Sequence, residues 1–268
     1  MVIFIVRPET GTNPLFHPAS AISIIAIIPS RYGSTRFPGK PLIDIAGRPM
    51  IEHVYRRAAA APSLDRILVA TDDERIRETV ETFGGEVRMT RATHKTGTDR
   101  LAEVAEHLTC DLIVNIQGDE PLIEPEMIEQ ALTPFATDSS VNISTLRRHI
   151  NNTKELHDPN VVKVATDHNG DALYFSRNPV GQHNGTTPSQ TIYKHIGLYV
   201  YRRTTLLELT QLPPTPLEQS ESLEQLRALG HGYRIRTVET TFDSVAVDTP
   251  EDVEEVLRVI NDSGENLL

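Results

Sequence analysis

Three short apolar runs, Ile24–Ile28, Ile67–Ala70 and Leu112–Ile116, alternate with stretches whose apolar residues recur at helical spacing. Runs this short and this rich in β-branched residues suit strands buried on both faces. Buried strands alternating with helices imply parallel pairing through helical crossovers. The helices are read from Met50, Val54 and Ala58, which follow Pro49 and precede Pro62; from Ile76, Val80 and Phe83 before Gly84-Gly85; and from Leu101, Val104 and Leu108. Glu86–Met89 reads as a further short strand.

The second half changes rhythm. Asn142–Arg147, Val161–Ala165, Ala172–Ser176 and Ile196–Tyr201 read as strands with short polar connections, hence as antiparallel additions to the sheet. Thr204–Leu212 and Leu217–Leu229 read as helices and Arg234–Glu239 as a strand. Glu251–Ile260 reads as a terminal helix with Val253, Val256, Leu257 and Ile260 inward. The Gly/Thr/Pro-rich stretch Gly181–Ser189 reads as a mobile loop. The expected fold is α/β: a central mixed, mostly parallel sheet flanked by helices, with antiparallel strands added in the second half.

At 268 residues the chain can bury a full core, and no composition break marks a linker, so residues 21–268 are expected to form one domain. Met1–Ser20 is expected to be a poorly ordered leader or to follow an upstream start codon, with an added edge strand as the other possibility. The 26 Lys+Arg against 37 Asp+Glu give a net charge of −11, which disfavours a nucleic-acid or anionic-membrane surface. No apolar run approaches the ~20 residues needed to span a bilayer. Cys110 is the sole cysteine, which excludes an intrachain disulfide and fits a reducing cytoplasm. The histidines, His53, His94 and His107 among them, lack zinc spacing and are expected on the surface or in loops.

Against that acidic balance, the loop after the first strand is cationic. Ile24–Pro41 reads IIAIIPSRYGSTRFPGKP: Pro29 is expected to end the strand, and Arg31, Arg36 and Lys40 follow among Gly33, Ser34 and Gly39. A cationic, glycine-bearing loop leaving a buried strand is where an α/β sheet receives an anionic ligand. Arg grips phosphate oxygens as a planar fork and Lys acts as a mobile point charge. A solvated surface loop is the plainer reading. A Walker-type loop is excluded by spacing, because Pro41 stands where a Ser or Thr would hold magnesium.

Two acidic motifs lie at expected strand ends. In VNIQGDEP (Val114–Pro121), Asp119 follows a buried strand and Gly118 permits close backbone approach. In VAVDTP (Val245–Pro250), Asp248 is expected to end a short strand before a helix capped by Thr249. Magnesium takes oxygen ligands, often one or two carboxylates completed by substrate phosphates. Each aspartate alone is equally well read as a turn or helix-end residue.

Together these motifs carry a resemblance. The blocks IIPSRYGSTRFPGKPL, VATDDERI, MTRATHKTGTDRLAEV, VNIQGDEPLI, DPNVVKV, ALYFSRNPV, KHIGLYVYRR, PLEQSESLEQLRAL and VDTPEDVEEV run in order from about Ile24 to Ile260. In these the chain resembles the 3-deoxy-manno-octulosonate cytidylyltransferases, or CMP-Kdo synthetases. The resemblance implies a Rossmann-like nucleotidyltransferase fold, CTP and Kdo as substrates, Mg2+ dependence, a homodimer, and a cytoplasmic role in lipopolysaccharide biosynthesis.

By the same resemblance, Arg31, Ser34, Arg36 and Lys40 would hold the triphosphate, with Arg91, Thr96 and Gly97 near the cytosine and ribose. Asp119 and Asp248 would bind magnesium, and with Arg31, Arg36 and Lys40 would be the catalytic set. Gln117, Arg177, His195, Tyr199, Glu224 and Gln225 would line the sugar-acid pocket. Arg177 suits the sugar carboxylate through a two-point pair. His195 and Tyr199, four apart on a strand, share one face. Kdo would attack the α-phosphate of CTP through its anomeric hydroxyl and displace pyrophosphate, a transfer governed by in-line positioning and charge neutralisation. The bound metal is expected to lower the pKa of that hydroxyl. Other outcomes are a cytidylyltransferase for 8-amino-Kdo or an N-acylneuraminate, a sugar 1-phosphate nucleotidyltransferase, or a catalytically silent nucleotide-binding subunit.

Overall fold

A computed structural model of the chain describes residues 22–33, 37–150, 152–180 and 192–263. Ser34, Arg36, Met1–Ser20 and Gly181–Ser189 lie outside the described residues. The rest fall into two compact units, one within Met1–Pro125 and Val245–Leu268, the other Glu126–Ser244.

The first unit is built on parallel strands β1 (Ile24–Ser30), β4 (Arg66–Thr71), β5 (Val87–Met89) and β6 (Leu112–Asn115). β1 pairs with β6 on one side and β4 on the other, and β4 carries β5 outward. The expected apolar runs are the buried strands: Ile24, Ala26, Ile27, Ile28, Leu68, Val69 and Val114 are fully excluded from solvent. Pro29 does not end β1 as expected. It pairs opposite Ala70, and the strand runs on to Ser30. A tiny hairpin, β2 (Asp44–Ile45) with β3 (Arg48–Pro49), leads into α1 (Met50–Ala59); α2 (Glu74–Thr82) and α3 (Gly97–Glu106) are the further crossovers.

The chain returns to this unit in α9 (Pro250–Ser263). Val253, Val256 and Ile260 join Ile45, Met50, Leu122 and Val247 in one buried cluster, with Phe37 and Leu257 against it. A buried Val or Ile contributes about 1.5–3 kcal/mol, so these contacts are enough to hold a terminal helix against distant sequence. His53 is corrected here. It is buried on α1, three residues from Met50 on the apolar stripe, with Nε2 2.7 Å from the Ile45 carbonyl.

The second unit opens with α4 (Pro125–Thr137) and continues through β7 (Ile143–His149), α5 (Thr153–His157), β8 (Lys163–Thr166), β9 (Ala172–Ser176) and β10 (Tyr193–Arg202). It closes with α6 (Arg203–Gln211), α7 (Pro216–Glu221), α8 (Gln225–Gly230) and β11 (Ile235–Glu239). The expected antiparallel pairs are present: β10 with β7, β10 with β8, and β8 with β9; β11 joins β7 in parallel. The single helix expected over Leu217–Leu229 is two. Thr215 opens α7 with a reciprocal capping box to Glu218, and Ser222 ends it at φ 54. That left-handed residue turns the backbone, so Glu224 precedes α8 instead of lying on a helix face.

Candidate active site

The site in the first unit forms where the cationic loop rejoins the sheet. Gly39, at φ 75, donates its N–H to the Tyr32 carbonyl at 2.9 Å and closes the loop at its base. A Cβ on Gly39 would also lie 3.0 Å from the Tyr32 ring, so the turn needs glycine on two counts. Arg75 stacks 3.3 Å over the centre of that ring and is itself held by the Asp73 carboxylate. Lys40 follows directly, starting a short 3-10 turn to Leu42.

The Lys40 ammonium meets three oxygens: Asp119 Oδ2 at 2.7 Å, the Val247 carbonyl at 2.8 Å and Asp248 Oδ1 at 3.1 Å. Asp119 is placed by Gly118, because a Cβ there would stand 2.8 Å from the Pro29 carbonyl and force the two strand ends apart. Asp248 is placed differently from the expectation. Val245–Asp248 is not a strand; the segment is held by the Val247 N–H on the Asp119 carbonyl at 2.8 Å. Nor does Thr249 cap α9 by accepting. The Asp252 carboxylate takes the N–H groups of Asp248 and Thr249, both at 2.8 Å, and the Thr249 hydroxyl at 3.2 Å. A carboxylate at that helix end suits its positive pole, while the Asp248 side chain reaches the lysine.

Both aspartates remain partly open, at 30% and 37% side-chain exposure against 13% for Lys40, so solvent reaches both side chains. The donor set, two carboxylates and a carbonyl already gathered round one cation, is all hard oxygen and fits Mg2+. Among the described residues no cluster of three or more His, Cys, Asp or Glu side chains is positioned to hold a metal.

Arg31 is exposed just beyond β1, and Gln117 is half-buried just beyond β6. Thr96 caps α3 by accepting the Asp99 N–H at 3.1 Å, and Gly97 opens that helix beside Pro29. Arg91 is exposed and tied to α3 through Glu103, which accepts its backbone N–H at 3.1 Å and also binds His94. Glu103, Asp252 and the Val247 carbonyl went unread in the sequence; the four-residue offset of Asp252 from Asp248 was the available signal.

The remaining candidates belong to the second unit. Arg177 donates from Nη1 to the Pro159 carbonyl at 3.1 Å and from Nε to the Glu221 carbonyl at 3.2 Å. His195 and Tyr199 do share a face, with ring centroids 5.3 Å apart. They do so across a bulge: His195 pairs with Arg147 and Tyr199 with Thr145, so four steps of β10 span two of β7 and parity is kept. The Thr145 hydroxyl fills the bulge, 2.8 Å from the Leu198 carbonyl and 2.9 Å from His195 Nε2. Its single proton goes to a carbonyl, which assigns the proton of the neutral imidazole to Nε2. Burial drives the His195 pKa from 6.5 down to about 3, and burial, with Tyr201 and Glu224 adding, raises that of Tyr199. Glu224 is exposed and Gln225 half-buried at the start of α8.

Comparison with known proteins follows the same lines. A family profile described as Cytidylyltransferase matches residues 25–235. A 3-deoxy-manno-octulosonate cytidylyltransferase of Geobacter metallireducens is 54% identical over 253 residues, covering 90% of this chain and 98% of the relative. One from Syntrophotalea carbinolica is 55% identical over 240 residues, covering 87% and 96%. Among solved structures, a CMP:2-keto-3-deoxy-manno-octonic acid synthetase complexed with CTP is 42% identical with a TM-score of 0.85, covering 90% of this chain and 99% of that one. A 4-diphosphocytidyl-2C-methyl-D-erythritol synthase from Anaerococcus prevotii, 13% identical with a TM-score of 0.61, shares the fold.

Proposed function

The chain belongs to the family of 3-deoxy-manno-octulosonate cytidylyltransferases, and on that premise we propose that it transfers CMP from CTP to the anomeric hydroxyl of Kdo. The observation that carries the site assignment is the convergence of Asp119 and Asp248 on Lys40. The Kdo oxygen bonds to the α-phosphorus as its hydroxyl proton passes to solvent, the bond from that phosphorus to the bridging oxygen breaks, and pyrophosphate leaves with the electron pair. Arg31, Ser34, Arg36 and Lys40 hold the triphosphate and offset the charge on the departing group. Arg91, Thr96 and Gly97 border the nucleoside. Asp119 and Asp248 hold Mg2+, which when bound supplies Lewis-acid stabilisation of the phosphate oxygens and lowers the pKa of the attacking hydroxyl.

In the second unit Arg177 pairs with the sugar carboxylate, while His195, Tyr199, Glu224 and Gln225 select its hydroxyls. Neutral His195 and Tyr199 suit hydroxyl recognition, since neither presents a charge to an uncharged group. The reading takes residues 21–268 as one cytidylyltransferase domain, supported by a family profile that continues from the first unit into the second. Cytoplasmic location, a homodimer and a role in lipopolysaccharide synthesis complete the proposal. Among the described residues no helix is long and apolar enough to cross a membrane.

The test is pyrophosphate release with Mg2+ and Kdo, run with CTP beside ATP, GTP and UTP, then with CTP beside 8-amino-Kdo and N-acetylneuraminate. Release confined to CTP with Kdo is expected. A stronger signal with another sugar acid would reassign the acceptor, and none with any pair would overturn the enzymatic reading.

A further inference from the structure

Lys163 has none of its surface exposed, and its Nζ donates to the carbonyls of Asp158 at 2.6 Å and Arg177 at 2.9 Å. Among the described residues both acceptors are neutral main-chain oxygens. Taking an ammonium out of water against carbonyls alone is costly, and burial accordingly lowers the Lys163 pKa, with the Asp158 charge opposing. A methionine fills comparable space without that cost, so packing does not explain a lysine here.

What the ammonium does is close a ring. It fixes the main-chain oxygen of Arg177 to Asp158, while the Arg177 guanidinium reaches back to the carbonyl of the next residue, Pro159. On the other side, Glu221 accepts the Arg177 N–H at 3.1 Å and also takes the hydroxyls of Tyr174 and Ser176. Arg177 is thus held at its N–H, its carbonyl and its guanidinium, and Lys163 supplies the one fully buried charge among those holds.

We propose that Lys163 is a positioning residue for the sugar-acid subsite: it sets the backbone from which Arg177 presents its guanidinium and adds a buried positive charge that favours the acceptor carboxylate. The proposal rests on the function given above. Its test uses Lys163→Met, which keeps the bulk, and Lys163→Gln, which keeps an N–H donor without the charge; the latter also serves should the methionine variant not fold.

Losing a charged hydrogen bond of this kind predicts a rise of about tenfold or more in KM for Kdo for Lys163→Met, with KM for CTP unchanged within about twofold. Lys163→Gln is expected to fall between it and the wild type. In an Arg177→Ala background the Lys163 effect shrinks to the part that its buried charge supplies directly. Equal rises in both KM values, an unchanged KM for Kdo, or an undiminished Lys163 effect without Arg177 would overturn the proposal. Failure of the wild-type enzyme to use CTP and Kdo is a separate result and would overturn the functional reading instead.

Discussion

The ammonium of Lys40 lies 2.7 Å from Oδ2 of Asp119, 79 residues further along the chain, and the same nitrogen reaches Asp248 at a separation of 208 residues. Three distant pieces of sequence therefore meet on one nitrogen. Lys40→Met removes the cation that holds them and the charge proposed to offset the leaving pyrophosphate. Turnover is expected to fall at least about hundredfold, with the far-UV spectrum retained. Lys40→Arg restores little, because a planar fork cannot replace one nitrogen contacting three oxygens. Near-normal kcat in either variant, measured by pyrophosphate release, contradicts the assignment.

Glu103 ties Arg91 and His94 to α3 and touches neither proposed metal ligand. Glu103→Ala is expected to raise KM for CTP several-fold while KM for Kdo stays level, the mark of a loosened nucleotide edge. Steady-state kinetics with each substrate varied in turn reads this directly, and a selective rise in KM for Kdo speaks against it.

Gly118→Ala drives a methyl to within 2.8 Å of the Pro29 carbonyl. Neither backbone can yield without moving Asp119, so a stability loss of about 1–3 kcal/mol is expected together with loss of turnover. Denaturant unfolding beside the activity assay checks both, and an alanine variant as stable and active as wild type excludes the close approach.

His195 gives a pH dependence of defined sign. Its folded-state pKa is depressed to about 3 from 6.5, so below 6.5 the unfolded chain takes up a proton that the folded chain refuses. The stability attached to the neutral imidazole is complete above 6.5 and is lost as the pH falls toward 3. The stability difference between wild type and His195→Gln is expected to shrink by up to about 1.4 kcal/mol per pH unit in that window. Urea titrations at pH 7, 6 and 5 measure it; a difference that stays constant means that the folded chain protonates His195 as readily as the unfolded one.

Much of this arrangement was legible because its signals are local. Buried strands announce themselves as β-branched runs, and Gly39 and Gly118 mark backbone that a Cβ would obstruct. The misreadings share another cause. Pro29 looked like a strand end, but a strand can accommodate a proline where no ladder bond needs its missing N–H. Val245–Asp248 looked like a strand because Val247 is apolar; it is apolar because it packs with Val253 and Val256. The left-handed backbone at Ser222 and the His53 contact with the Ile45 carbonyl are single-residue settings, and apolar periodicity carries no record of them.

The most direct test of the account is single-turnover pyrophosphate release from CTP and Kdo at saturating Mg2+, comparing wild type with Asp119→Asn and Asp248→Asn, each shown by circular dichroism to be folded. The account predicts that each loses at least about two orders of magnitude in rate, and that the double variant is little worse than either alone, because the two carboxylates act as one unit. Near-wild-type turnover in either folded single variant would contradict it.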